Sequence, residues 1–169
     1  VHTLPGTPFL YQGEELGMTN MAFSSIEEYN DPEAKNRYRQ LLLEGVPPEE
    51  ALRTIQLESR DNARTPMQWD DSTNAGFTHG TPWIRVNPNY TEVNAAAAMA
   101  DPDSTFYYFQ KLIRLRKAHP VIVHGRYALL EKDDPALFIY TRTLDDAQLL
   151  VMCNFKEQTR EWTMPAGFA

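Results

Sequence analysis

The sequence predicts an α/β chain that gives way near residue 120 to an antiparallel β meander. Three observations carry this. An apolar and aromatic run, Thr7 to Gln12, lies between Gly6 and Gly13. Three helix-start signals follow it. After Pro120 come four short runs rich in β-branched and aromatic residues, separated by polar turns.

TPFLYQ reads as a strand buried on both faces, because it is continuously apolar rather than alternating. GEELGM then breaks it with two glycines and two acids, a polar loop at the strand's C-terminal end where α/β folds place ligand groups. Asp31-Pro32-Glu33 combines an N-cap, a proline at the first helical position and an early acid, so a helix is predicted from there to Leu43, before Gly45. Pro47-Pro48-Glu49-Glu50 opens a second helix in the same way, to about Leu57. From Ser59 to Ala100 there is little periodicity, and AAAA at 95–98 is too short to count as a repeat. A segment of that length containing Trp69, Phe77, Trp83 and Ile84 reads as ordered and functional. Asp103-Ser104 caps a third helix to about Ala118, with Phe106, Phe109, Leu112, Ile113 and Arg116 near the helical period and His119-Pro120 ending it. HGRYALLEK, ALFIYTRT, QLLVMCNF and REWTMP are then the strands of a meander. The predicted division is 1–119 and 120–169.

Composition narrows the function. The 169 residues are 42% hydrophobic, enough for a core, and the net charge of -7 is spread along the chain. That balance argues against a nucleic-acid or anionic-membrane partner. No apolar run approaches the roughly 20 residues needed to cross a bilayer, and no signal peptide is read. Cys153 is the single cysteine. It is expected to be a buried thiol, and its solitude fits a reducing, cytoplasmic setting. The opening VHTLPG reads as the end of one element followed by a strand, as in an excerpt of a longer chain.

The densest chemistry is ESRDNARTPMQWDDSTNAGFT, Glu58 to Thr78, with two arginines, four carboxylates and two asparagines around one proline. Two readings fit it. One is a salt-bridge knot that staples the loop, with Trp69 and Phe77 as its core. The other is a polyol-binding wall, since a guanidinium fork spans a carboxylate or two neighbouring sugar hydroxyls. A metal site fits poorly, because the carboxylates are scattered and His2, His79, His119 and His124 never pair at ligand spacing. No GxSxG, phosphate-binding glycine loop or HExxH occurs, and no cofactor is expected.

GTPFLYQGEELGMTN, SRDNARTPMQWDDSTNAGFT and the helix-then-meander that follows together resemble the C-terminal portion of an oligo-1,6-glucosidase or α-glucosidase of the α-amylase superfamily, glycoside hydrolase family 13. The resemblance implies that TPFLYQ is the last strand of a (β/α)8 barrel, that the arginine-rich segment belongs to the long loop after it, and that the tail begins a β-sandwich domain. It implies a retaining hydrolase of α-glucosides whose carboxyl groups stand about 5–5.5 Å apart. Those carboxylates lie on earlier strands, so none of Glu14, Glu15, Asp61 or Asp70 is assigned a catalytic role. What the resemblance places here is sugar recognition. Arg60 holds the terminal glucose with an aspartate from upstream of Val1, Glu33 lines the next sugar's site, and Arg64 joins that wall mainly by bracing the loop. Glu14 and Glu15 hold the loop after the strand, and Trp69 anchors the core. The expected partner is an oligosaccharide. Trehalose-6-phosphate hydrolases and sucrose isomerases carry nearly the same loop, and Met67 before Gln68-Trp69 looks more like the hydrolases. A barrel strand without its neighbours is expected to leave residues 1–25 disordered or refolded onto the helices, or to make the chain self-associate through that edge.

Overall fold

A computed structural model describes residues 1–164. Its helices are α1 (Pro32–Leu43), α2 (Pro48–Glu58), α3 (Ala95–Ala100), α4 (Thr105–Ala118) and α5 (Pro120–His124), and its strands are β1 (Arg126–Leu129), β2 (Leu137–Leu144) and β3 (Ala147–Asn154). Single 3-10 turns punctuate the loops, among them Arg60–Ala63, Thr73–Gly76 and Pro88–Thr91. Two compact units arise. One comprises Leu10–Tyr108, and the other joins Val1–Phe9 to the chain from Phe109 onward.

In the first unit, α1 and α2 begin where the sequence places them. The Asp31 carboxylate caps α1 by accepting from the Glu33 amide at 3.2 Å, and Pro32 and Pro48 occupy first-turn positions whose N–H would have no helical partner. The two helices pack on a core of Met21, Phe23, Tyr29, Ala34, Ile55 and Ile84, with Phe23 and Tyr29 edge to face at 4.8 Å. Because α1 and α2 are similar in length and joined by a few residues, the chain rises about 18 Å and returns by nearly the same distance, delivering Ser59 and Arg60 to the start of α1.

The Ser59–Ala100 segment holds an element that periodicity did not reveal. Asn94 accepts from the Ala97 amide at 2.7 Å, and the Ala95 and Ala96 amides donate to the carbonyls of Gln68 and Trp69, so α3 is capped at its start and bonded to the loop. Gln68 is fully buried and donates to Asn89 and to the Val93 carbonyl.

In the second unit, β1–β2–β3 form an antiparallel sheet in that order, and Asp145 takes a left-handed conformation in the tight turn between β2 and β3. Four consecutive residues of β2, Ile139 to Arg142, are buried, so both faces of the central strand are covered. The Arg142 guanidinium donates to the Gly125 carbonyl from Nε (3.1 Å) and Nη2 (2.7 Å), to the Val123 carbonyl and to the Thr3 carbonyl. Arg116 of α4 donates to the carbonyls of His2, Leu4 and Gly6. Two cations thus hold residues 2–6 by backbone oxygen alone.

Four expectations are corrected. Thr7–Gln12 is not a strand: no neighbour pairs with it among the described residues, and Phe9 is 86% exposed, since an apolar run takes strand form only where other strands accept its backbone bonds. Residues 1–6 instead lie against α4. Pro120 does not merely end α4; its fixed φ suits a first helical turn, and it starts α5. The run at Arg160–Met164 forms no strand, Trp162 donating instead to Glu131 at 2.7 Å, while Pro165 lies outside the described residues. Cys153, on the outer strand β3, is only partly buried.

Candidate functional site

The site grows from the return of α2 to the start of α1. Ser59 caps the 3-10 turn that follows, and this turn aims two side chains at different targets. Asp61 is completely buried, and its Oδ2 accepts from the backbone amides of Asn30 (2.7 Å) and Asp31 (2.9 Å) while Oδ1 accepts from Arg64 at 3.3 Å. Its oxygens are therefore committed to fixing the loop on the start of α1.

Arg60 makes a two-pronged pair with the buried Asp31, Nη2 to Oδ1 at 2.8 Å and Nε to Oδ2 at 3.2 Å, and its Nη2 also lies 3.1 Å from Glu33 Oε2. The guanidinium beside Asp31 holds that carboxyl below its ordinary range, and burial opposes the shift without overcoming it. Asp31 thus does two jobs: it caps α1 and fixes the orientation of Arg60. Roughly half of the Arg60 side chain remains open to solvent.

The predicted residues separate here. Arg60 and Glu33 come together on the rim of a cleft of about 390 Å³ between α1 and the end of α2, whereas Arg64, braced on Asp61, does not line it. The carboxylate that pins Arg60 is in this chain. The sequence reading saw Asp31 only as a cap; the aspartate it expected to join Arg60 from upstream of Val1 is not part of this chain. The signal was available: two consecutive helices of like length bring the residue after the second beside the cap of the first.

The loop's anchors also differ from expectation. Trp69 is 51% exposed and Phe77 45%, so neither is a core residue. The segment is held instead by Ile84, by Gln68 and by Ala75, whose carbonyl accepts from the Trp69 and Asp70 amides. Glu15 does hold the loop after Gln12, accepting from the Gly13 amide at 2.8 Å. A second cleft of about 250 Å³ has Tyr11, Glu14, Asn20 and Asn62 among its lining residues. No cluster of three or more potential metal-binding side chains occurs, and no helix is long and apolar enough to cross a membrane, among the described residues.

The chain is 55% identical to oligo-1,6-glucosidase of Parageobacillus thermoglucosidasius and 46% identical to trehalose-6-phosphate hydrolase of Bacillus subtilis. These matches cover 98% and 100% of this chain and 30% of each relative, so the chain spans about a third of their length. Its structure superimposes on trehalose-6-phosphate hydrolase of Bacillus licheniformis with a TM-score of 0.92 at 48% identity, covering all of this chain and 30% of that one. Trehalulose synthase of Pseudomonas mesoacidophila gives 0.89 at 45%, over 98% and 30%. The family model described as alpha amylase, catalytic domain, matches residues 1–125, which contain the whole Asp31–Glu33–Arg60 arrangement, and the chain belongs to the alpha-amylase family.

Proposed function

We propose that this chain is part of a retaining, exo-acting α-glucosidase that hydrolyses short α-glucosides such as isomalto-oligosaccharides. It supplies substrate-binding groups, and the catalytic carboxylates lie outside it. In this reading residues 1–119 are the last part of the (β/α)8 barrel, and 120–169 begin a β-sandwich domain. The observation that carries the proposal is the Arg60 fork: its orientation is fixed by a buried carboxylate while half of it stays exposed, which is how a protein presents rigid donors to sugar hydroxyls. Glu33 beside it supplies acceptors for the neighbouring sugar. Arg64 contributes by bracing the loop through Asp61.

The relative named as trehalose-6-phosphate hydrolase, and an isomaltulose synthase of Erwinia rhapontici solved with its natural substrate sucrose, keep two other substrates in view, a phosphorylated disaccharide and sucrose. Family membership stands against a module with no enzymatic ancestry. The test is the full-length protein assayed with isomaltose and p-nitrophenyl α-glucoside. Arg60→Ala should lower kcat/KM about ten- to a hundredfold with little change in melting temperature, whereas Arg64→Ala should lower the melting temperature more than kcat/KM. Reversed phenotypes would exchange the two roles, and an unaffected Arg60→Ala would overturn the proposal.

A further inference from the structure

The cleft that begins at Arg60 continues along α1. Asn36, Arg37 and Gln40 line it beyond Glu33, one and two helical turns further on. Arg37 is partly buried, yet among the described residues no hydrogen bond or ion pair engages its guanidinium. An arginine whose stem is already laid on the protein while its fork is unused has lost part of its conformational freedom before any ligand arrives. Asn36 beside it is exposed and offers both a donor and an acceptor. The step from Glu33 to Arg37 is four residues, about 6 Å along the axis, the length of one pyranose unit in a chain.

Charge decides what suits this groove. Asp31, Glu33 and Glu58 line it against Arg37 and Arg60, a net charge of minus one. A phosphate dianion entering it meets repulsion, whereas uncharged hydroxyls find both donors and acceptors.

We infer that Arg37 and Asn36 form a subsite for a second, uncharged sugar on the leaving-group side of the scissile bond, and that Arg37 sets the preference for three-unit over two-unit glucosides. This rests on the α-glucosidase reading above. The experiment compares isomaltotriose, isomaltose and trehalose 6-phosphate in the full-length protein and its Arg37→Met and Arg37→Lys variants. In Arg37→Met the ratio of kcat/KM for isomaltotriose to that for isomaltose should fall about tenfold, the size of one charge-assisted hydrogen bond, with the loss in KM. Arg37→Lys, which keeps the charge and the stem but loses the planar fork, should fall part of the way. An unchanged ratio in Arg37→Met, with isomaltose still hydrolysed, overturns the subsite alone. A wild-type protein that cleaves only trehalose 6-phosphate overturns the subsite together with the reading beneath it.

Discussion

Arg142 offers a direct test of how the unit around the sheet is held. It is 1% exposed, and its hydrogen-bond partners are backbone carbonyls, so a full charge is buried on dipoles alone. Replacing it by Met frees three carbonyls. Those of Val123 and Thr3 belong to residues that reach solvent and can bond water, but Gly125 is buried and its oxygen loses both donors. One orphaned carbonyl costs about 1–3 kcal/mol, and the lost charge-assisted bonds to the other two add about 1 kcal/mol net. Relief from no longer burying the cation acts in the other direction and is the smaller effect, because a guanidinium is weakly hydrated. Arg142→Met should therefore destabilise the chain by about 2–4 kcal/mol, which at a urea slope of about 2 kcal/mol per molar lowers the unfolding midpoint by roughly 1–2 M. The Leu4 amide should exchange faster as its segment loses the Thr3 tether. Arg142→Lys should fare no better than Met, since a point charge on a flexible stem cannot reach Gly125 and Thr3 together. A Met variant as stable as wild type would show that burying the cation costs as much as its bonds return. A fully stable Lys variant would show that the charge, not the fork, matters.

Two further outcomes are expected. Asp31 has a depressed native pKa, so the stability it contributes is fully present above the ordinary carboxylate value of about 4 and is lost as pH falls through the native value; the gap in urea midpoint between wild type and Asp31→Asn should be constant at neutral pH and shrink below about pH 4, and a gap that widened there would refute the Arg60 pairing. Gly125→Ala places a Cβ 2.3 Å from the Val121 carbonyl oxygen, against backbone that cannot yield cheaply, so a loss of about 1–3 kcal/mol is expected in urea unfolding, and a neutral substitution would mean that the turn after α5 is looser than described.

What was legible in the sequence was local. The starts of α1 and α2 follow from Asp31-Pro32 and Pro47-Pro48, each of which acts within one turn; of the α4 stripe, Phe106, Phe109, Leu112 and Arg116 are partly buried while Ile113 is exposed. Ser104 sits before α4 as expected, but its hydroxyl donates to the Ala98 carbonyl, a bond no local pattern announces. The strand reading of Thr7–Gln12 failed because strand formation depends on neighbours, which an apolar run cannot supply for itself. Trp69 and Phe77 misled because aromatic character marks a residue fit for burial without saying what is there to cover it. At the site, the residue types Arg60 and Glu33 were readable, while the fork's partner needed the hairpin of α1 and α2 to be folded in space first.

The hold of Arg142 on Thr3 spans 139 residues. On a ribosome adding about 5–20 residues per second, roughly 7–28 s separate the synthesis of the two ends of that bond. Leu10–Tyr108, already a compact unit, has time to close around Phe23, Tyr29 and Ile55 in that interval. Thr3 meets Arg142 only after that interval, since closing so long a loop is repaid only when the sheet exists. The order of synthesis thus makes the Arg142–Thr3 bond a late contact, and refolding from denaturant, where both partners are present from the start, need not follow the same sequence of events.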